Sequence, residues 1–186
     1  MSERNGDWMQ TYTGRQFWPL DPRPEDVHIE DIAHALAMLC RFGGHATAFY
    51  SVAQHSVLVS RIVSQEYALI GLLHDAAEAY IGDMVRPLKH ANQMHEYRRA
   101  EERISRAIAE RYGLPWDGLG MILGTEVKAA DDLALATEAR DVMDGQRAGP
   151  WRPLPEPMHE RIRPWGYETA ERAFILRFST LWADHI

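Results

Sequence analysis

The stretch LIGLLHDAAEAYIGD, at residues 69–83, places charged side chains inside an apolar run. His74 and Asp75 are adjacent in it, and Glu78 follows His74 by four residues, which is one turn of an α-helix. Asp83 closes the stretch after a glycine. Buried charges cost free energy unless they are paired or bound to a metal, and imidazole with carboxylate suits a divalent transition metal. The stretch therefore predicts a helix that carries metal ligands.

Two further segments carry candidate ligands on apolar helical patterns. His55 interrupts YSVAQHSVLV, and Asp131 lies in VKAADDLALATEA beside Asp132, with one of these two aspartates expected to face solvent. Taken singly, a histidine on an apolar helix is more often a satisfied core residue, and an aspartate is more often a cap. Jointly, the set predicts a metal site in the core, with His55, His74, Asp75 and Asp131 as ligands from three helices.

This ligand set leaves the identity of the metal open. Two imidazoles and two carboxylates accept Co, Mn, Zn, Fe or Ni, and cellular supply would decide among them. We expect one divalent transition metal, and Mg²⁺ bound at a substrate phosphate is a further alternative.

Apolar residues recur at helical spacing in six segments whose ends are marked by glycine, proline or a capping pattern. The predicted helices cover roughly residues 29–41, 52–65, 67–80, 93–112, 124–144 and 167–183. Aromatic, β-branched and proline residues in the first 28 positions predict extended chain or a short hairpin followed by a loop. Five prolines in residues 146–166 predict a surface loop.

These elements predict an all-α bundle in a single domain spanning residues 1–186. We expect its core at about 29–145, an N-terminal lid segment at 1–28, and a loop with the C-terminal helix at 146–186.

Composition restricts the class of protein and its partners. The chain has 186 residues, of which 46% are apolar, so it can form a core. Its 27 acidic residues outnumber 20 basic ones, which argues against a nucleic-acid polymer as partner. The one cysteine, Cys40, excludes an internal disulfide and fits a reducing compartment. The polar N-terminus and the absence of an apolar run near 20 residues predict a cytoplasmic protein without a membrane partner.

The order His55, His74-Asp75, Asp131 resembles the HD-domain metal-dependent phosphohydrolases, and among them the bacterial 5′-deoxynucleotidases. The shared text comprises Arg41, QHS at 54–56, HDAAEAYIGD at 74–83, PLK at 87–89, EYRRAE at 96–101 and VKAAD at 127–131. Gln54 stands where that family often has Glu, a position that is not a metal ligand. The resemblance implies an HD-type helical bundle and a hydrolase of nucleotides.

A second resemblance is carried by TGRQFWPLDP near the N-terminus and by CRFGGHATAFYSVAQHSV at residues 40–57. These segments are similar to the phage dATP triphosphohydrolases of the same superfamily. Both resemblances together imply a metal-activated water that attacks a 5′-phosphate, in either a dNMP 5′-nucleotidase or a dNTP triphosphohydrolase. Relatives of both kinds also imply a homo-oligomer.

Three residues are expected to act on the reacting groups. Glu78 would orient or deprotonate the attacking water, unless it instead holds His74 or Arg41 in place. The nucleotidase resemblance implies that Arg41 contacts phosphate and that Asp83 lies near the sugar 3′-hydroxyl.

Six residues are expected to bind the substrate. The triphosphohydrolase resemblance implies that Trp18 stacks on the base, that Leu20 limits its edge and that Pro87 closes the far side. Lys89 would contact phosphate, and Arg15 and His45 are further phosphate candidates. Two alternatives stay open: Trp18 packs as part of a hydrophobic lid, and the cations are solvated surface charges.

Two other functions stay open from the sequence. One is a di-iron oxygenase on an HD scaffold, which would recruit extra histidines such as His90 and His95. The other is a non-catalytic nucleotide-binding regulator.

Overall fold

The computed structural model describes residues 4–116, 125–144, 149 and 152–185. These residues are mostly helical, which confirms the predicted all-α bundle. The α-helices are α1 Ile29–Met38, α2 Val52–Ile62, α3 Ala68–Leu73, α4 Glu78–Ile81, α5 Arg86–Lys89, α6 His95–Arg111, α7 Thr125–Asp141 and α8 Tyr167–His185. Within the described ranges, no helix combines the length and the apolar content that a bilayer crossing requires.

Helix α2 is the central element of the bundle. It packs against α1, α3, α7 and α8, and its side chains are buried over most of its length. Several of its residues are small, so neighbouring helices can approach it from several sides. A polar side chain in the middle of α2 is therefore surrounded by protein.

A short hairpin precedes the bundle. Strands β1 (Met9–Gln10) and β2 (Gln16–Phe17) pair antiparallel, as one of the two alternatives for this segment predicts. Phe17 is fully buried and stacks on Tyr80, with ring centroids 3.7 Å apart. This stacking attaches the hairpin to α4, so Phe17 belongs to the core.

The predicted continuous helix at 67–80 is wrong at residues 74–77, which separate α3 from α4. The α-helix ends at Leu73, and the next backbone bonds are of the tighter i→i−3 type, such as Ala76 N–H to Leu73 O and Glu78 N–H to Asp75 O. The imidazole Nδ1 of His74 lies 2.8 Å from Gly71 O. If the α-helix continued, the N–H of Asp75 would donate to this same Gly71 oxygen, so the His74 side chain competes with the helical hydrogen bond.

Other helix ends differ by a few residues. Helix α1 ends at Met38 and α2 at Ile62, because Leu39 and Val63 have extended backbone angles. A loop is expected at Pro87, between the predicted helices 67–80 and 93–112, but this expectation is wrong. The proline lies in the first turn of the short helix α5, where its missing N–H costs little.

The segment 152–166 contains no helix or strand in its described residues, as predicted. It is held against the bundle by side chains of α2 and α7. The Gln54 amide donates to Arg163 O and accepts from Trp165 N–H, at 2.8 Å in each case. Ser51 caps α2, because its hydroxyl accepts from Gln54 N–H. In a full capping box, the Gln54 side chain would bond back to Ser51 N–H, but here it bonds to Arg163 and Trp165 instead.

Candidate metal centre

Three elements bring two imidazoles and a carboxylate together in the core. The Nε2 atom of fully buried His55, on α2, lies 3.3 Å from His74 Nε2 and 3.4 Å from Asp131 Oδ1 on α7. One ligand atom from each of these three residues lies within 4.8 Å of the other two, so the group could hold a metal ion.

Asp75 adds a second carboxylate to this group. Its Oδ2 atom is 3.2 Å from His74 Nε2 and 3.5 Å from His55 Nε2. Ligands about 2.1 Å from a tetrahedral ion stand about 3.4 Å from one another. These four separations lie close to that value, although the group whose donors all lie within 4.8 Å of one another comprises His55, His74 and Asp131 without Asp75.

The two aspartates on α7 are both half-buried, with 26% of the Asp131 and 23% of the Asp132 side chain exposed. The expectation that one of them faces solvent is therefore wrong, and they differ in their contacts. Asp132 turns to Lys128 and Arg152, with which it forms short ion pairs. Asp131 turns inward to His55, although its other oxygen accepts from Lys128 at 3.0 Å. Asp131 is thus the carboxylate of this helix that reaches the cluster.

The charges of the cluster compensate one another. Burial would raise the pKa of Asp75 and of Asp131, but the nearby imidazoles outweigh it and hold both values far below the ordinary range. Burial and Arg41 would lower the pKa of His55, yet its carboxylate partners raise it to about 9. Without a metal, the carboxylates are therefore neutralised by a protonated imidazole.

The ring of His74 is oriented by the backbone. Its Nδ1 atom lies 2.8 Å from Gly71 O, an oxygen that can only accept. The proton therefore sits on Nδ1 and Nε2 points to the cluster as a potential ligand atom. Metal-binding histidines in proteins commonly have such a support.

Glu138 is a site residue that the sequence analysis missed. It is fully buried on α7, and its Oε1 atom is 2.7 Å from His55 Nδ1. Arg41 and His55 overcome the effect of burial and lower its pKa to about 2. Glu138 follows Asp131 by seven residues, two helical turns, in the apolar text LALATEA. A charged residue at that spacing was the signal that could have revealed it.

Arg41 lies beside the cluster, and its expected contact with phosphate stays a prediction. Its Nη2 atom is 3.0 Å from Glu138 Oε2, and its Nη1 atom is 3.7 Å from Asp75 Oδ2. Its backbone N–H donates to Tyr50 O at 2.9 Å. Phe42 then adopts a left-handed conformation, with φ of 58°, and turns the chain directly after the arginine.

Glu78 is buried next to these groups. Its Oε2 atom has no hydrogen-bond partner among the residues that the structure describes, and its Oε1 atom lies 4.0 Å from Lys89 Nζ. Burial, together with the charges of Asp75 and Asp83, raises its pKa well above the ordinary range. In the tightened turn, Glu78 falls three residues after Asp75 and shares its face, whereas the sequence analysis placed it on the face of His74.

Asp83 and Lys89 both interact electrostatically with Glu78. Burial raises the pKa of Asp83, which also interacts electrostatically with Arg41 and Asp75. Lys89 is half-buried and pairs with Glu101 of α6 at 2.5 Å. Both residues interact electrostatically with Asp75, and their expected contacts with substrate stay predictions.

The remaining predicted substrate residues make other contacts. Trp18 lies under the guanidinium of Arg4, 4.3 Å from its ring centroid. Leu20 is half exposed and lines a cleft with Arg103 and Arg106 in which none of the cluster residues takes part. Three further residues are exposed to solvent, namely Arg15, His45 and Pro87. Their roles in substrate binding stay predictions.

The extra histidines of the di-iron alternative lie outside the cluster. His90 is exposed, and His95 is exposed and pairs with Glu96 at 3.0 Å. Neither belongs to the group of potential ligands around His55.

Comparison with known proteins places the chain in a family. No protein-family model matches it. The uncharacterized protein YfdR of Escherichia coli (strain K12) is 45% identical over 135 residues, which cover 73% of this chain and 72% of YfdR. The chain belongs to the YfdR family. The uncharacterized protein RCAP_rcc00048 of Rhodobacter capsulatus is 38% identical over 144 residues, covering 73% of this chain and 72% of that protein. The names of these relatives state no activity, so function must be argued from the site.

Proposed function

We propose that this protein is a divalent-metal-dependent phosphohydrolase that acts on (deoxy)nucleotides. The observation that carries the proposal is the convergence of His55, His74 and Asp131 within 4.8 Å of one another. Asp75 and Arg41 stand directly beside them. The resemblance of the ligand order to the HD-domain phosphohydrolases supports the same reaction class.

The donor set fits one divalent transition metal. His55, His74, Asp75 and Asp131 would hold it, and nitrogen and oxygen donors suit Co, Mn, Zn, Fe or Ni. When bound, such an ion supplies Lewis acidity toward a phosphate oxygen and lowers the pKa of water. The acceptor at His74 Nδ1 and the carboxylate at His55 Nδ1 leave both Nε2 atoms as the nitrogens that would bind the ion.

Two cations can bind the phosphate. The Arg41 guanidinium lies next to Asp75 and keeps its charge at all relevant pH values, so it suits a dianionic phosphate. Lys89 is the second candidate, and its Nζ atom lies 4.0 Å from Glu78 Oε1. In hydrolysis, these charges would stabilise the oxygens that carry negative charge in the transition state.

Glu78 is the candidate for proton transfer. Its unpaired Oε2 atom and its raised pKa suit a carboxyl group that exchanges a proton with water. Asp83, in the turn after Gly82, would accept a hydrogen bond from the sugar 3′-hydroxyl. Preference for 2′-deoxy substrates would then depend on the room left beside that hydroxyl.

The test is a hydrolysis screen of nucleoside and deoxynucleoside mono- and triphosphates with Co²⁺, Mn²⁺, Zn²⁺, Fe²⁺ and Ni²⁺. Orthophosphate release from a monophosphate indicates a 5′-nucleotidase, and tripolyphosphate release indicates a triphosphohydrolase. Asp131→Asn should abolish activity, whereas Asp132→Asn, on the adjacent residue outside the cluster, should retain it. Metal-loaded wild-type protein that hydrolyses none of these compounds would contradict the proposal.

A further inference from the structure

We infer that Glu138 is a positioning residue that joins the metal site to the phosphate site, by holding His55 with one carboxylate oxygen and Arg41 with the other. This inference rests on the proposed function, since that function gives the two partners their roles. It assigns to one buried side chain the alignment of both halves of the centre.

Each carboxylate oxygen of Glu138 contacts one of the two partners, and Tyr50 also interacts electrostatically with this carboxylate. Oε1 lies 2.7 Å from His55 Nδ1, and Oε2 lies 3.0 Å from Arg41 Nη2. Glu138 and His55 have no exposed surface, so solvent cannot replace either bond. Both bonds connect charged groups, which makes them stronger than ordinary hydrogen bonds.

The bond to His55 determines which ring nitrogen can bind a metal. The Glu138 carboxylate, which also pairs with Arg41, offers only acceptor oxygens, so Nδ1 at 2.7 Å carries the proton. Nε2 then faces His74 and Asp131 with its lone pair available once a metal displaces the second proton. The carboxylate also increases the basicity of the ring and thereby its affinity for the ion.

The bond to Arg41 determines where the guanidinium points. Glu138 holds Nη2 at 3.0 Å, while Asp75 lies 3.7 Å from Nη1, so the planar group is held between two carboxylates. A planar guanidinium held in this way can approach a phosphate beside the metal ligands with little loss of entropy.

A glutamine at this position has the size of Glu138 but cannot make both bonds. Its amide has one oxygen that accepts and one nitrogen that donates. If the oxygen faces His55, the NH₂ group faces the donors of Arg41. If the oxygen faces Arg41, the NH₂ group faces Nδ1 and favours the tautomer with a proton on Nε2, which opposes metal binding.

The experiment compares wild type, Glu138→Gln and Glu171→Gln by calorimetric titration with Co²⁺ and then with inorganic phosphate. Glu171 makes a similar bond to His34, 3.0 Å long, away from the metal site, so Glu171→Gln is the matched control. We expect Glu138→Gln to weaken Co²⁺ binding about 10- to 100-fold. We expect phosphate binding to its Co²⁺-saturated form to weaken about tenfold, and the control to match wild type in both.

The outcome is independent of catalysis. If wild type binds Co²⁺ but hydrolyses no nucleotide, the proposed function fails, and the Co²⁺ affinities still test the position of His55. Glu138→Gln with wild-type affinity for both Co²⁺ and phosphate would overturn the inference, as would a wild-type protein that binds no Co²⁺. A loss of affinity equally large in Glu171→Gln would also overturn it.

A second measurement covers the case in which Glu138→Gln does not fold. In Zn²⁺-loaded wild type labelled with ¹⁵N-histidine, NMR should show the His55 ring with a slowly exchanging proton on Nδ1 and with Nε2 bound to the metal. A ring with the metal on Nδ1, or with Nδ1 unprotonated, would overturn the inference.

Discussion

At the residue scale, the centre is organised by pairing each buried charge with an opposite one. His55 and Glu138 are fully buried and lie 2.7 Å apart, and Arg41 closes the chain of charges at 3.0 Å from Glu138. Breaking a buried pair from one side leaves an uncompensated charge, which is strongly destabilising. In the metal-free protein, we therefore expect a proton on the His55 imidazole to balance the carboxylates, as a bound metal would otherwise do.

The pH dependence of metal-free stability tests this pairing. His55 has a pKa of about 9 in the folded chain against 6.5 in an unfolded one, so its contribution is complete below pH 6.5 and is lost as pH rises through 9. Between these values, His55 should make the free energy of unfolding fall by on the order of 1 kcal/mol per pH unit. Urea unfolding with a chelator from pH 6 to 10 measures this fall, and His55→Gln should show a shallower one. Equal slopes in the two proteins would contradict the assignment.

Glu78→Gln separates catalysis from stability. Burial raises the pKa of the Glu78 carboxyl, because its charged form is unfavourable there. At any pH above this pKa, replacing the carboxylate by a neutral amide of similar size removes that buried charge. We expect the variant to be at least as stable as wild type at pH 8 and to bind Co²⁺ normally, while kcat falls about 10²- to 10⁴-fold. Stopped-time phosphate release and urea unfolding provide the two readouts. Normal kcat in this variant would show that Glu78 has no role in proton transfer.

The candidate metal ligands could be predicted because each is a charged residue on an apolar helical pattern. The structure brings His55, His74 and Asp131 together as that reasoning requires. Glu138 obeys the same pattern but was missed, since a glutamate near the end of an amphipathic helix also fits the solvent face. Contacts of exposed side chains such as Arg15 depend on a bound substrate, so they cannot be predicted from the hydrophobic periodicity of the sequence.

At the element scale, the position of the cluster depends on how closely α3 packs against α2. A Cβ atom on Gly71 would lie 3.2 Å from Val63 Cγ2 and 3.3 Å from the Ser60 Cα atom. The same residue offers its carbonyl oxygen to His74 Nδ1. Gly71 thus sets both the distance between two ligand-bearing elements and the orientation of one ligand. The break after Leu73 was not predictable from apolar spacing, because it arises from a side-chain bond to the backbone.

Gly71→Val should disturb this packing. The added side chain meets backbone that cannot move aside, and overpacking of this kind costs about 1–3 kcal/mol. We expect lower stability in urea unfolding and weaker Co²⁺ binding, since α3 would move away from His55. Gly166→Val is the control: a Cβ there meets only Glu168 Oε2, at 3.8 Å, so Co²⁺ binding should be unchanged. A Gly71→Val variant with normal Co²⁺ affinity would contradict this role of the helix contact.

At the scale of the whole molecule, the bundle is completed by contacts between distant parts of the chain. Gln54, adjacent to the ligand His55, holds the backbone of Arg163 and Trp165 with both ends of its amide. Local sequence patterns predict the loop at 152–166 but not its attachment, because the partners are more than a hundred residues apart. The predicted all-α class, by contrast, followed from helical periodicity alone.

Gln54→Leu tests this attachment. The change keeps the size of a buried side chain but leaves a backbone N–H and a carbonyl without their partner, which costs about 2 kcal/mol or more. We expect a lower free energy of unfolding and faster proteolytic cleavage within 152–166. Gln65→Leu, which removes an exposed side-chain bond to Asp184, should change neither. Equal cleavage rates in the two variants would refute the anchoring role.

The central claim is that His55, His74, Asp75 and Asp131 share one divalent ion. Anomalous diffraction from crystals grown with Co²⁺ tests it most directly. The account predicts one strong peak per chain about 2.0–2.2 Å from the Nε2 atoms of both histidines and from a carboxylate oxygen of each aspartate. Density without a peak at this position, or a peak elsewhere with these four side chains still in mutual contact, would contradict it.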